Sequence, residues 1–263
     1  LDTGRLDPEM RARTYRYRAD AYGELGKFDL ALGDYGRALD LVAFDAIVLH
    51  SRGVALGRLG RHADALKDLD RALLLRPEYG IAYESRARTQ LDLALDAPPE
   101  RRAALLAGAL TDADRAIGLL GQEAEARLRV DRGRIKFYMG RIADAVADFT
   151  RALEVEPDSL QALSFRGAAY ADAGDLDRAI VDFTRLLRLE PGARVVRMAR
   201  GFGYFQTQQF ALALADFDRV LTDAPGDLAA VYCRGAARVR TGDTAGQADI
   251  DAAMTKAEAD RRD

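Results

Sequence analysis

The phrase DFTRALEVEP, beginning at Asp148, returns as DFTRLLRLEP at Asp182 and as DFDRVLTDAP at Asp216, each time after 34 residues. A fixed interval of this kind constrains the fold strongly. Each copy must find an equivalent environment, so the chain is expected to be a linear array of similar pieces. The period holds for other residue types: Gly133, Gly167, Gly201 and Gly235 share one register, and Gly140, Gly174 and Gly242 a second. Phe149, Phe183 and Phe217 share a third, and Pro157, Pro191 and Pro225 a fourth. Earlier in the chain Gly53, Gly60, Ala65, Leu69, Ala72 and Pro77 keep the same internal spacing, as do Ala19, Tyr22, Gly26, Phe28, Ala31, Tyr35 and Ala38. After a lead-in over 1–11, the repeats are 12–45, 46–79, 80–125, 126–159, 160–193, 194–227 and 228–261.

Each repeat reads as two amphipathic helices. Leu160, Leu163, Gly167 and Tyr170 fall on one face at helical spacing, and Leu176, Ala179, Ile180, Phe183 and Leu187 do so again. Gly174-Asp175 separates the two helices, and Pro191 ends the second because proline cannot continue the hydrogen-bond ladder. A glycine inside a helix costs about 1 kcal/mol relative to alanine. Gly167 is therefore expected where a side chain would strike the partner helix, and Ala152 and Ala179 are small for the same reason.

The period and its order of small, aromatic and proline positions resemble the tetratricopeptide repeat (TPR) over nearly the whole chain, as in Gly167, Tyr170, Gly174, Leu176, Ala179, Phe183, Leu187 and Pro191. The resemblance implies an all-α protein, an α-solenoid of about seven helix-turn-helix repeats wound as a right-handed superhelix. One helix pair cannot cover both of its apolar faces, so neighbours must stack.

Asp148 and Arg151 of the opening phrase recur as Asp34/Arg37, Asp68/Arg71, Asp182/Arg185 and Asp216/Arg219, always three apart on the second helix. One reading is an acidic and basic ladder for a partner. The plainer reading, and the expectation here, is a solvated outer face plus ion pairing between helices, with a same-helix pair worth a few tenths of a kcal/mol. Two repeats depart from the pattern. The third holds 46 residues against 34, with the addition near 94–105 and Pro98-Pro99 placed to start a lengthened second helix, either as a docking element or as drift at a tolerant loop. The seventh loses the aromatic and the proline and turns polar, as a capping repeat does.

In TPR proteins the first helices line a groove, and ligands meet repeat positions 2, 5, 6, 9, 12 and 13. The resemblance thus points to Arg13, Arg16, Asp20 and Glu24 in the first repeat, His50 in the second, Glu84 and Arg88 in the third, and Arg127 and Arg134 in the fourth. The sixth and seventh contribute Met198, Phe202, Phe205 and Tyr232. This face would be charged toward the N-terminal half and apolar toward the C-terminal half, suiting a peptide with a charged portion and an apolar anchor. Phe202 and Phe205 could equally serve packing between repeats. The family's carboxylate clamp uses asparagines and lysines, and a chain without asparagine argues against that particular function.

Nothing in the sequence singles out chemistry. His50 and His62 lie in different helix positions without ligand spacing around them, so neither a metal nor another cofactor is expected, and His62 stands where other repeats carry Phe28, Leu176 or Phe210. Ser51, Ser85, Ser159, Ser164 and Cys233 have no histidine in a recurrent relation to them. The GFG at 201–203 lies within a helix and lacks the remaining glycine of a nucleotide loop. With 42 acidic against 39 basic residues and a net charge of -3, no nucleic-acid surface is indicated, and no apolar run reaches membrane-spanning length.

The lone cysteine excludes an intramolecular disulfide framework, and a cytoplasmic or a periplasmic address both stay open. Arginine and alanine excess reads as a bacterial, GC-rich codon habit. The first residue is Leu1, and GRLDP before Glu9 resembles the end of a preceding repeat, so the chain reads as a processed product or a piece of something longer. The sequence thus favours a non-enzymatic scaffold or adaptor for a protein or peptide partner. A recruiting or sensing region of a larger enzyme or signalling protein, and a self-assembly module, are the alternatives.

Overall fold

The computed structural model describes residues 7–121 and 124–260; most of the lead-in lies outside them. Among the described residues there are fourteen α-helices and no strand. The chain divides into two compact bodies, Leu1–Gly140 and Arg141–Asp263. The N-terminal body holds α1 (Pro8–Glu24), α2 (Phe28–Leu41), α3 (Ala46–Arg58), α4 (His62–Leu75), α5 (Gly80–Leu95), α6 (Pro99–Leu120) and α7 (Glu125–Tyr138). The C-terminal body holds α8 (Ile142–Val155), α9 (Leu160–Asp172), α10 (Leu176–Leu189), α11 (Arg194–Gln206), α12 (Phe210–Asp223), α13 (Leu228–Arg240) and α14 (Ala245–Ala259).

Local chemistry sets the helix ends. Gly60, Gly174 and Gly242 adopt positive φ just beyond a first helix, and the following N–H reaches back five residues, as Asp175 N to Tyr170 O at 2.8 Å, satisfying the orphan carbonyls. In the sixth repeat a glutamine, Gln208, takes this left-handed conformation at φ 61° and makes the same closure, Gln209 N to Tyr204 O at 2.8 Å. A side chain there costs on the order of 1 kcal/mol. Gln208→Gly is therefore expected to raise stability by about 1 kcal/mol, read as a higher denaturant midpoint. At the other turn, Arg76, Glu156, Glu190 and Ala224 all leave the helical region with ψ between 80° and 86°. Each precedes a proline, whose ring disfavours helical geometry in its neighbour.

Packing within a pair is a contact of one dipeptide on another. In α9 and α10, Gly167 faces Phe183; a Cβ on Gly167 would lie 2.5 Å from Phe183 Cε1. Gly201 stands likewise against Phe217, at 2.7 Å, and Gly53 against Leu69, at 3.0 Å. The residue before each glycine is an arginine and the residue before each large partner is an aspartate. Arg166 donates from Nε and Nη2 to Asp182 at 2.8 Å each. Arg52 grips Asp68 at 2.6 and 2.7 Å, and Arg200 grips Asp216 at 2.8 and 2.7 Å. Arg18 and Asp34 repeat the grip, with Ala19 and Tyr35 beside them. Arg86 and Asp112 keep it across the enlarged third repeat, and Arg234 and Asp249 keep it in the last pair, 15 residues apart instead of 16.

These pairs bear out the expected ion pairing between helices and correct the expectation of a solvated face. The aspartates of the repeated phrase are buried: Asp34, Asp68, Asp148, Asp182 and Asp216 are each 4% exposed or less. The arginine three residues later also binds the aspartate in the case of Arg37, at 2.7 Å. Arg185 instead reaches Asp158, and Arg219 reaches Asp223. A buried carboxylate needs a close, well-oriented counter-charge, and a bidentate guanidinium from the facing helix supplies it better than a flexible neighbour on the same surface. The Arg18 guanidinium accordingly holds Asp34 below the usual carboxylate range.

The third repeat's extra residues lengthen α5 and α6 to 16 and 22 residues. Pro99 occupies the first turn of α6. Leu91 and Ala94 of α5 meet Leu106 and Ala109 of α6 in a small apolar cluster. Arg102 closes the turn by donating to the carbonyls of Ala94 and Ala97, both at 3.1 Å. In the last pair Gly235 and Gly246 bring backbones together, each glycine's Cβ position lying 2.7 Å from the other's carbonyl oxygen. This close approach takes the place of the missing aromatic.

Candidate functional site

Within the N-terminal body the first helices lie side by side, α1 touching α3, α3 touching α5 and α5 touching α7. The side chains between them form connected polar groups. On α1, Asp20 accepts the Tyr35 hydroxyl at 2.7 Å, and burial together with this carboxylate pushes the phenol's pKa up. Arg13 is exposed and Arg16 lies over the Tyr17 ring at 4.7 Å; Arg13 first and Arg16 second hold the Tyr17 phenol below its ordinary value.

His50 of α3 meets Ser85 Oγ of α5 at 2.9 Å and stands edge-on to Tyr79 at 5.2 Å. Burial lowers the imidazole's pKa, so it is neutral at pH 7. The contact resembles a nucleophile with its base, but Ser85 lies in the middle of α5, where the surrounding backbone N–H groups are spent on the helix. The contact is a polar clasp that joins α3 to α5.

The largest constellation joins α5 and α7. Glu84 is ion-paired to Arg88 at 2.8 Å and to Arg127 at 2.6 Å. Arg88 also donates to Asp131 from Nε, at 2.8 Å, and Arg134 lies 3.8 Å from the same carboxylate. Desolvation raises the Glu84 pKa despite its two arginines. Four of the residues that repeat position pointed to, Glu84, Arg88, Arg127 and Arg134, thus come together. Asp131 and Ser85 were missed, although both occupy position 6 of their repeats.

In the C-terminal body α11 touches α13, and their shared face is apolar. Val195 is 78% exposed, Phe202 49%, Tyr232 45% and Val239 47%. Met198 and Phe205 are instead partly buried against Phe217 and Ala213, and the Phe205 ring packs on Phe210 at 5.5 Å. The two phenylalanines three residues apart therefore part company, Phe202 to the surface and Phe205 to packing.

The described residues hold no group of three or more histidine, cysteine or acidic side chains placed to bind a metal, and no helix among them is long and apolar enough to cross a membrane. The tetratricopeptide repeat family model matches residues 18–80 and 130–194. A human protein, tetratricopeptide repeat protein 36, is 34% identical over 106 residues, which are 40% of this chain and 51% of that protein. The chain thus spans about half the length of this curated relative.

Among solved structures, a tetratricopeptide repeat protein from Parabacteroides merdae ATCC 43184 superposes with a TM-score of 0.67 at 18% identity, covering 94% of this chain and 93% of its own. YrrB, a TPR protein with an unusual peptide-binding site, superposes at 0.59 and 19% identity, covering 76% and 97%. At these identities the structures share the fold alone. With the 34-residue period, the family match and the all-helical architecture together, the chain is a tetratricopeptide repeat protein.

Proposed function

We propose that the chain is a non-enzymatic interaction module that holds a peptide or protein segment against the exposed faces of its first helices. One observation carries the reading: the α11–α13 face leaves Val195, Phe202, Tyr232 and Val239 open to water while the second helix between them buries Phe217 and Val220 completely. The chain can bury large apolar groups in this body, so a row left uncovered marks a surface for another molecule. The peptide-binding site named for YrrB gives a precedent for this fold, and the polar groups along α1, α3, α5 and α7 offer hydrogen bonds and charge to the same kind of guest.

Phe202→Ala and Arg134→Glu are the variants that test it. Each is expected to weaken capture of a partner identified by affinity purification and mass spectrometry at least tenfold, with helical circular dichroism unchanged. A partner that binds both variants as tightly as the parent chain would place the contact elsewhere.

A further inference from the structure

We propose that the N-terminal body binds a small organic monocarboxylate in a cleft between its second helices α2 and α4, where Gly36 leaves one guanidinium without the partner its counterparts have. The cleft lies apart from the row of polar groups on the first helices: neither His50 nor Glu84, Arg88, Arg127 or Arg134 lines it.

A contact repeated along the chain carries the inference. The arginines at the position of Arg52 also reach the preceding second helix through Nη1, two places beyond that helix's own buried aspartate. Arg86 meets Asp70 at 2.7 Å and Arg132 meets Asp114 at 2.8 Å. Arg166 and Arg200 meet the hydroxyls of Thr150 and Thr184, at 3.2 Å each, and Arg234 stands 3.6 Å from Asp218.

At α3 the pattern breaks. Arg52 holds Asp68 at 2.6 and 2.7 Å, but the residue two places beyond Asp34 is Gly36, with open space where a side chain would stand. Among the described residues Nη1 of Arg52 has no hydrogen-bond or ion-pair partner. An open cleft of about 770 Å³ lies here, a size at which small-molecule sites occur.

The lining defines the ligand. Leu32 and Leu56 supply apolar contact, and Arg52, Lys67 and Arg71 supply charge. The acids of the lining are already engaged: Asp68 by Arg52, Asp70 by Arg86, and Asp64 by Arg61 and Lys67. Among the described residues Arg71 pairs with no carboxylate and reaches only the Ala43 carbonyl, at 3.5 Å. Asp70, Asp114 and Asp218 show that a carboxylate suits Nη1 at this position, so a ligand carboxylate takes that place and its stem lies on the two leucines. Asp40, on the next turn of α2, acts on Arg52 from beyond ion-pair distance and disfavours a second negative charge. A monocarboxylate is therefore selected over phosphate.

The test titrates the full, isotope-labelled chain with sodium pentanoate, with pentanamide and with inorganic phosphate, at an ionic strength held constant with sodium chloride, and follows amide shifts by NMR. Pentanoate is expected to give saturable shifts centred on Gly33, Gly36 and Arg52. Pentanamide should bind at least tenfold more weakly and phosphate at least fivefold. Gly36→Thr gives Arg52 the hydroxyl that Arg166 and Arg200 already have, and it should weaken pentanoate at least tenfold. Arg71→Gln should weaken it at least threefold. The same glycine-to-threonine change at Gly118 of α6, which also faces open space, should leave binding unchanged.

Shifts that do not saturate, an equal response to pentanamide, or phosphate bound as tightly as pentanoate would each overturn the proposal. So would full binding by Gly36→Thr, or an equal loss in Gly118→Thr.

Discussion

Arg166→Leu is expected to cost about 3–5 kcal/mol of unfolding free energy at pH 7. Asp182 is only 3% exposed and receives two hydrogen bonds of 2.8 Å from this guanidinium. Removing the arginine leaves a carboxylate that is buried, charged and without its principal partner. The penalty is set by desolvation of that charge, which is why it far exceeds the few tenths of a kcal/mol of a surface pair on one helix.

The double variant Arg166→Leu with Asp182→Leu is expected to recover most of the loss, since an apolar pair of similar volume asks for no counter-charge. Urea denaturation of the single and double variants at pH 7 reads both outcomes.

The second large effect lies one residue along. Phe183→Ala removes a ring that is 4% exposed and packed on Gly167, and it is expected to cost about 3–5 kcal/mol. The reverse change, Gly167→Ala, places a methyl carbon 2.5 Å from Phe183 Cε1, so ring or helix must move, at about 1–3 kcal/mol. The two positions share one contact and must couple. Gly167→Ala combined with Phe183→Leu should cost less than the sum of the separate changes, because the shorter side chain vacates the space that the methyl takes. The chain carries a milder form of this pairing, Gly53 against Leu69, where the added Cβ would stand at 3.0 Å instead. Additive costs in a thermal or urea cycle would show that the glycine serves something other than this close approach.

Much of the architecture was legible because its determinants act within a few residues. Proline forces its predecessor out of the helix, glycine takes positive φ beyond a first helix, and the 34-residue period displays both signals repeatedly. Ion pairing between helices was expected, but neither its arginine nor its burial was read, because Asp182 has a nearer cation in sequence, Arg185, and helical spacing makes that neighbour look like its partner. The overlooked signal was the arginine before Gly53, Gly167, Gly201 and Gly235, which shares the glycine's period. Periodicity that includes a charged residue beside a close-contact glycine is more naturally explained by a buried pair than by a solvent face.

The candidate site was legible as a set of positions and not as a set of roles. Glu84, Arg88, Arg127 and Arg134 were placed on one face, but which of them would be buried depended on Asp131, whose carboxylate draws Arg88 inward. Phe202 and Phe205 lie less than one helical turn apart, and both are aromatic. Contacts of Phe205 with the Ala213 and Phe217 cluster and with Phe210, all on the partner helix, decide that one ring packs and the other is exposed.

Amide hydrogen exchange on the chain bound to its captured partner tests the interaction reading most directly. The result that supports it is added protection confined to peptides from the first helices, above all α5, α7, α11 and α13, with α4, α10 and α12 unchanged. Protection confined to those second helices, with the first helices exchanging as in the free chain, would contradict it.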